Sequence, residues 1–346
     1  MSTIEMPQKI VVEKNIVNIA GILADMNLGR KALVVCDENV IDIGKKLSAA
    51  AGANLAKLKS SGMKTIESMA SVIKVYDSLI AVGGGKTIDA VKYAAYLAKK
   101  PWVSFPTILS HDGIVSSRAI INDNGVKTSL DAKEPVAIVA DLEILANSPY
   151  KFTAAGAGDC ISNITALEDW RIADRAGKED YDEFIADIAM LSAKAVIKNA
   201  DKIKNRGDKG MEILLWSLLC SGLAMNMHCS SRPASGSEHN FSHALDALNS
   251  NALHGEQVAL GAMIMAYLQE EKGFMKKRPA FTWENIANVM EKLGLPMTAE
   301  QIGIENDKLI QAIVNAKNVR DRYTVLNEKN LTEKEAEKIL KTLGII

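Results

Sequence analysis

Cysteine and histidine are both scarce in this sequence, with four cysteines and five histidines in 346 residues. The cysteines show no paired spacing, which argues against a disulfide framework. We therefore expect free thiols in a reducing cytoplasm. The scarcity of histidine also makes any cluster of histidines informative.

Long apolar runs and a strong net charge are absent as well. Residues 1–15 contain no apolar signal core, and no later run is expected to be long and apolar enough to span a bilayer. The net charge of −1 gives no reason to expect nucleic acid or an anionic membrane as a partner. We expect a cytoplasmic protein with no nucleic-acid partner and no stable membrane insertion.

The first part of the chain alternates strand and helix patterns. Apolar runs predict strands at 31–39, 78–86 and 101–107, and helical spacing predicts helices at 65–77 and 87–100. This alternation indicates a Rossmann-like parallel sheet covered by helices. An "NDNG" turn within 118–141 predicts a hairpin inserted on that sheet.

After about Asp141 the pattern changes to helical periodicity. The sequence predicts helices at 160–175, 180–200, 210–227, 255–272, 283–293, 306–317 and 332–343. The length also favours two domains over one core. We expect an α/β domain over 1–150 and an all-α domain over 151–346, with a boundary near 145–155 and the chemistry in a cleft between them.

A run of glycines, "AVGGGKTID" at 81–89, lies where a predicted strand turns into a helix. Glycines allow close backbone approach, and a helix N-terminus offers free N–H groups to an anion, so a phosphate or pyrophosphate site is favoured over a simple turn. The P-loop pattern fails at Ile80, and the G-x-G-x-x-G pattern fails at Ile88. Asp37, after the first predicted strand, is equally consistent with an adenosine-ribose contact and with a helix cap.

Three of the five histidines fall between Ser235 and Gly255. His239 and His243 are four residues apart, so on a helix both could reach one metal ion. His254 opens the next apolar helix. Neutral imidazoles with a carboxylate are a common divalent-metal set, so the spacing predicts a metal or catalytic site and leaves open which histidines are ligands.

The carboxylate of such a site has three candidates. Asp159 follows small residues in "AAGAGDCISN" and is expected to begin a helix, where it would act as an N-cap or as a ligand. Glu238 and Asp246 are the alternatives.

A third polar segment, "FPTILSHDGIVSS" at 105–117, follows a strand at the predicted carboxyl edge of the sheet, where α/β proteins usually bind ligands. Its serine and threonine hydroxyls could form hydrogen bonds with phosphate or nicotinamide groups, and Asp112 could form a hydrogen bond with a polyol. The alternative interpretation is that this segment is a polar surface loop without a ligand.

Five stretches together resemble the iron/zinc-type polyol dehydrogenase and dehydroquinate synthase-like superfamily: "GGGKTIDAVKYAA", "FPTILSHDGIVSSRAIINDNG", "AGAGDCISN", "GSEHNFSHALD" and "LHGEQVALG". They span the chain from about 80 to 262. Within the superfamily, "SHDGIVSS" and "GSEHNFSHALD" are most similar to the sn-glycerol-1-phosphate dehydrogenase family. The resemblance implies a dehydroquinate synthase-like fold.

The resemblance also implies roles for individual residues. Those expected to contact NAD or NADP are Gly83, Gly84, Gly85, Lys86, Asp89, Thr107, Ser110 and Ser116, to which the sequence pattern adds Asp37. Those expected to hold one divalent metal, usually zinc, are Asp159, His239 and His254. Asp112, Asp159 and His243 are expected to face the substrate, with His243 and Asp112 as the catalytic pair.

The family reaction is reversible hydride transfer between NAD(P)H and dihydroxyacetone phosphate, which gives sn-glycerol 1-phosphate, the backbone of archaeal membrane lipids. Alternatives are a glycerol or other polyol dehydrogenase with no phosphate requirement, a dehydroquinate synthase-like lyase, and a non-catalytic metal- or nucleotide-binding protein. The preference for NAD or NADP and the metal identity stay open. Four arginines are available for the substrate phosphate, with no choice among them: Arg118, Arg232, Arg320 and Arg322. We expect a homo-oligomer.

Overall fold

The structure is a computed structural model that describes residues 5–16, 18–28, 31–123, 126–274 and 281–346. The chain divides into two compact units, Met1–Pro149 and Tyr150–Ile346. The first unit is α/β and the second consists of helices. This confirms the predicted fold class.

The N-terminal unit combines strands with helices in alternation. Its strands are β1 (Lys9–Glu13), β2 (Ala32–Cys36), β3 (Asn54–Lys57), β4 (Ser78–Gly83), β5 (Trp102–Pro106), β6 (Arg118–Asp123), β7 (Val126–Asp131) and β8 (Ala137–Asp141). Its helices are α1 (Ile19–Asp25), α2 (Ile41–Ala51), α3 (Met63–Val72), α4 (Gly85–Ala98) and α5 (Leu142–Asn147). Short 3-10 turns cover Glu38–Val40, Ile73–Val75 and Asp112–Ile114.

Six strands form one sheet in the order β1-β8-β5-β4-β2-β3, and every neighbouring pair is parallel. Strands β2, β4, β5 and β8 are buried along their whole length, as expected for a sheet covered on both faces. Strands β6 and β7 form a separate antiparallel hairpin. The hairpin prediction is confirmed, although the last two residues of its "NDNG" turn lie outside the described residues.

The strand register places three predicted contacts at one edge of this sheet. Cys36 is opposite Val82, and Gly83 is opposite Pro106. Asp37, the glycine loop and Thr107 therefore all follow the carboxyl ends of the adjacent strands β2, β4 and β5. This is the edge at which parallel α/β sheets usually bind their ligands.

The described part of the C-terminal unit, residues 150–274 and 281–346, contains helices and no strand. The helices are α6 (Tyr150–Arg175), α7 (Glu183–Lys198), α8 (Ala200–Lys204), α9 (Asp208–His228), α10 (Ser237–Ala247), α11 (His254–Glu271), α12 (Trp283–Leu293), α13 (Asn306–Ala316), α14 (Val325–Glu328) and α15 (Glu333–Thr342). A 3-10 turn covers Arg232–Ala234.

Helix α9 corrects one sequence expectation. By length and composition alone it is apolar enough to cross a membrane, contrary to the expectation that no run would be. However, 67% of its most apolar stretch is buried inside the protein, including Leu214 and Leu218. Core helices of folded domains pass the same test, so α9 is weak evidence for a membrane span.

Close packing of α6 against α11 corrects the expectation that Asp159 begins a helix. Asp159 was expected to begin a helix, but it lies in the middle of α6, which starts nine residues earlier. The small residues before it stay helical because α11 approaches them closely: a Cβ on Gly158 would collide with the carbonyl of Gly255, and one on Gly255 with the carbonyl of Ala155. Glycines at the contact let the two backbones meet, and this brings Asp159 near the start of α11.

Candidate metal centre and nucleotide loop

Asp159, His239 and His254 come together from three helices of the C-terminal unit. One ligand atom from each lies within 4.8 Å of the other two. The Oδ1 atom of Asp159 is 3.6 Å from Nε2 of His254 and 4.0 Å from Nε2 of His239. Asp159 and His239 are buried, and the His254 side chain is 33% exposed, so the group is open on one side only.

Helix geometry explains how each imidazole reaches this point. His239 is in the first turn of α10, and His254 is the first residue of α11. Their ring centroids are 5.0 Å apart with an interplanar angle of 61°. The short distances from both Nε2 atoms to Oδ1 of Asp159 show that both rings direct Nε2 toward this carboxylate.

Glu238 holds the far side of the His239 ring. Its Oε1 atom is 2.9 Å from Nδ1 of His239, and its carboxylate also accepts the backbone N–H of Gly236 at 2.5 Å and the hydroxyl of Thr165 at 3.0 Å. Burial alone would raise the pKa of the Glu238 carboxyl, but the hydrogen bond and charge of His239 and the backbone N–H groups outweigh it, so this pKa lies below its usual value. A charged Glu238 fixes the orientation of the imidazole.

Ser242 contacts the corresponding nitrogen, Nδ1, of His254. Its hydroxyl lies 3.2 Å from Nδ1 of His254 and donates to Oε1 of Gln257 at 2.6 Å. Gln257 in turn donates to Asp246 at 3.3 Å. Glu238 and Asp246, the two alternative carboxylates, are thus partners of the groups around the site and are not members of the three-residue group.

The donor chemistry fits a divalent metal ion. One carboxylate oxygen and two imidazole nitrogens converge, and each imidazole has an oxygen partner on its other nitrogen, as metal-ligating histidines almost always do. No other group of three such residues was found among the described residues. His243 lies one turn beyond His239 on α10, is half-buried, and does not belong to the group.

The glycine loop of the N-terminal unit is built for close approach. Gly83 has φ 155°, Gly84 is the N-cap of α4 without a side-chain capping bond, and Gly85 opens the helix. A Cβ on Gly84 would collide with Ile108, and one on Gly85 with His111. The side chains of Ile108 and His111 therefore pack directly against the loop, and the backbone N–H groups of the first turn of α4 have no side-chain cap. Lys86 follows on the exposed side.

Asp37 and Asp89 already have partners within the N-terminal unit. Asp37 accepts the N–H of Asn39 at 2.8 Å, which makes it a cap, and the hydroxyl of Thr87 at 2.7 Å. Asp89 is buried in α4 and pairs with Lys92 at 2.9 Å. A cofactor contact for either residue stays a prediction.

The polar segment 105–117 contacts the glycine loop. The N–H of Thr107 donates to the carbonyl of Gly83 at 3.0 Å. Thr107 and Ser116 are buried, whereas Ser110 and Asp112 are half-buried. Their predicted cofactor and substrate contacts stay predictions, but the segment is anchored beside the loop.

Two family models match separate stretches of this chain. The model of the iron-containing alcohol dehydrogenase family matches residues 10–149, and that of the 3-dehydroquinate synthase C-terminal domain matches residues 238–319. Glycerol-1-phosphate dehydrogenase (NAD(P)+) of Thermococcus sibiricus is 37% identical over all of this chain and 99% of its own length. The enzyme of that name from Pyrococcus horikoshii is 38% identical over the full length of both chains.

The chain belongs to the glycerol-1-phosphate dehydrogenase family.

Solved structures show that the fold of this glycerol-1-phosphate dehydrogenase family member is shared more widely. Glycerol dehydrogenase from Schizosaccharomyces pombe superposes with a TM-score of 0.80 over 99% of this chain and 90% of its own, at 21% identity. A probable glycerol dehydrogenase from Sinorhizobium meliloti gives 0.78 at 22% identity, over 99% of this chain and 98% of its own. Both the predicted family and the predicted fold are confirmed.

Two residues that sequence reasoning did not single out support this family member's sites. His111 accepts the N–H of Gly113 through Nδ1 at 3.0 Å and fills the space where Gly85 and Gly113 lack side chains. Asp169, fully buried, accepts the N–H of Ser237 at 2.7 Å and its hydroxyl at 2.5 Å, and so anchors the start of α10. The sequence contains a signal only for His111, in the "SHDG" stretch.

The four candidate arginines differ in their ion-pair and hydrogen-bond partners. Arg118 pairs with Asp131 within the hairpin, and Arg232 is buried against Glu179 at 2.9 Å. Arg322 donates to Ser231 and to the carbonyl of Ser235, and burial followed by the charge of Arg232 lowers its pKa to about 10.

Arg320 is half-buried and contacts the histidine helix α10. Its Nε donates to Asn240 at 2.9 Å and its Nη2 to Ser235 at 3.0 Å. Asn240 directly follows His239 in α10.

Proposed function

We propose that this chain catalyses the reversible NAD(P)H-dependent reduction of dihydroxyacetone phosphate to sn-glycerol 1-phosphate. The observation that carries the proposal is the convergence of Asp159, His239 and His254, with supported imidazoles, in a chain that aligns over its full length with glycerol-1-phosphate dehydrogenases. The product would serve as the glycerophosphate backbone of archaeal membrane lipids.

We propose that Asp159, His239 and His254 hold one divalent metal ion, with Zn²⁺ as the expected one. When bound, such an ion acts as a Lewis acid toward the C2 carbonyl of the substrate. Glu238 and Ser242 keep the two imidazoles oriented through their Nδ1 atoms.

His243 is the proposed proton donor to the C2 oxygen, directly or through water. It is one helical turn from His239 and is half-buried, so it is partly accessible. Asp112 is proposed to orient a substrate hydroxyl. Both roles rest on the family resemblance and stay proposals.

The nicotinamide cofactor supplies the hydride. We propose that the N–H groups at the start of α4 bind its pyrophosphate, because α4 begins at the carboxyl edge of the sheet and no side chain caps it. Thr107, Ser110 and Ser116 are the further proposed contacts. A cytoplasmic location and a homo-oligomeric state stay proposals.

For phosphate recognition we propose Arg320. It is a half-buried guanidinium that donates to Asn240 and Ser235 and so lies beside the histidine helix. Arginine suits phosphate because its planar fork offers several donors at once.

The deciding experiment follows NAD(P)H absorbance with dihydroxyacetone phosphate, with and without a chelator, and analyses the chirality of the product. We expect chelator-sensitive oxidation and sn-glycerol 1-phosphate. A glycerol 3-phosphate product would contradict the proposal. Equal turnover of unphosphorylated dihydroxyacetone would favour a polyol dehydrogenase, and turnover of a lyase substrate without net absorbance change would favour a dehydroquinate synthase-like enzyme.

A further inference from the structure

A lysine lies completely buried beneath the segment that follows β5. Lys92, on α4, has no exposed side-chain surface. Its ammonium group donates to Oδ1 of Asp89 at 2.9 Å, to the carbonyl of Gly113 at 2.8 Å and to the carbonyl of Arg118 at 2.6 Å. A lysine has three N–H donors, so these three acceptors satisfy it fully.

The two carbonyls that Lys92 binds mark the ends of one short stretch. Residues 114–117 lie between them and include the buried Ser116, and Asp112 comes just before. The other oxygen of Asp89 accepts the N–H of Ile120 in β6 at 3.2 Å. The pair therefore attaches both this stretch and the first hairpin strand to α4.

Helix α4 is also the helix that the glycine loop opens. Asp89 and Lys92 lie in its second and third turns, so they link the backbone after β5 to the element that presents the anion-binding N–H groups. Interior charges are costly to bury and are retained only when they are paired and hydrogen-bonded. Here the arrangement fixes one predicted cofactor-binding segment relative to another.

We infer that Lys92 and Asp89 act together as positioning residues for dinucleotide binding, by holding residues 113–118 in place beside the glycine loop. The inference rests on the proposed function, since it takes the nicotinamide cofactor as the ligand. It also gives Asp89 a structural role, because each of its oxygens accepts an internal hydrogen bond.

The test measures the dissociation constant for NADH by fluorescence titration of metal-loaded protein. The variants are Lys92→Met, Asp89→Asn and the double variant. We expect each single variant to weaken NADH binding roughly tenfold or more, because small displacements of positioned groups have effects of this size. The double variant should weaken it about as much as one single variant, since the two residues act as a unit.

Hydrogen exchange gives a second readout. The amides of residues 114–117 should exchange faster in both single variants. The double variant removes both buried charges and is expected to fold even where a lone unpaired charge is not tolerated. Its binding constant therefore tests the inference if a single variant fails to fold.

The matched control is another Asp–Lys pair with the same spacing in the same unit. Asp42 and Lys45 form an exposed i,i+3 pair at 3.2 Å on α2. Asp42→Asn and Lys45→Met should leave NADH binding unchanged.

Three results would overturn the inference. Weakened NADH binding in Asp89→Asn but not in Lys92→Met would mean that Asp89 contacts the cofactor itself. Reduced thermal stability with unchanged NADH binding would mean that the pair only stabilises the fold. If the wild-type protein binds no NADH, the proposed cofactor site fails, and the inference fails with it.

Discussion

Replacing Glu238 by glutamine tests whether the three-residue group is a metal site. Glu238 does not belong to the group, but its Oε1 atom is 2.9 Å from Nδ1 of His239. Glutamine keeps the size of the side chain and an oxygen that can accept the imidazole N–H, and it removes the negative charge. Glu238→Gln should therefore bind metal more weakly while the fold is retained.

The size of the effect follows from the role of the carboxylate. A charged partner on Nδ1 makes Nε2 a better ligand, and losing such partners typically weakens metal binding about 10- to 100-fold, or about 1.4 to 2.8 kcal/mol. Glu238 is fully buried and also accepts bonds from Gly236 and Thr165. Because an amide oxygen kept near His239 and Gly236 turns the NH2 group toward the Thr165 hydroxyl donor, we expect the upper part of this range.

The assay is a Zn²⁺ competition titration against a chromophoric chelator, run on apo protein, with circular dichroism as a check of folding. The matched control is Glu256→Gln. Glu256 lies two residues after His254, but its carboxylate caps α11 by accepting the N–H of Leu253 at 2.8 Å. Its replacement should leave the Zn²⁺ affinity unchanged.

Two outcomes would refute this reasoning. Unchanged Zn²⁺ affinity in Glu238→Gln would show that the carboxylate does not act through His239. An equal loss in Glu256→Gln would show a general electrostatic effect of nearby acidic residues. In either case the contact at Nδ1 would not be evidence for a metal ligand.

Three further predictions follow from the same contacts. His254→Ala should lose metal and activity together, whereas His243→Ala should lose turnover and keep its metal; equal metal loss in both would contradict the ligand assignment. Arg320→Ala should raise the KM for dihydroxyacetone phosphate roughly 10- to 100-fold, as expected for a lost charged hydrogen bond, with NADH affinity unchanged; an unchanged KM would exclude the proposed phosphate contact. Burial, followed by the charge of Glu238, raises the pKa of Asp169 from 3.8 to about 6, so the folded state binds this proton more tightly than the unfolded state does. The free energy of unfolding should therefore fall by up to about 3 kcal/mol as pH rises from about 4 to above 6, and denaturant titrations should show a flatter profile for Asp169→Asn.

The buried strands were predictable because their apolar runs are continuous. Strands β2, β4 and β5 were predicted and are buried at every position. Strands β1 and β3 were missed, and they lie at the two edges of the sheet with only partial burial. An edge strand needs no continuous apolar run, so it leaves a weak signal in the sequence.

Helix α6, which carries Asp159, shows a different limit on predicting structure from the sequence. "AAGAGD" suggested a loop leading into a helix, because glycine is unfavourable in helix interiors. In α6 that cost is offset by the close approach of α11, which needs small residues at Gly158 and Gly255. A tertiary contact between segments almost a hundred residues apart decided the local structure, and one sequence without its partner could not show it.

The choice among the histidines depends on the same kind of information. Helical spacing put His239 and His243 on one face and left either pairing possible. In the structure, Nε2 of His239 and Nε2 of His254 both point toward Asp159, and Glu238 and Ser242 occupy their Nδ1 atoms. The supporting oxygens lie one residue before His239 and twelve before His254, so no fixed spacing encodes them. What distinguishes His239 and His254 from His243 is that their Nε2 atoms lie beside the Asp159 carboxylate, and this proximity can be identified only once the helices are packed.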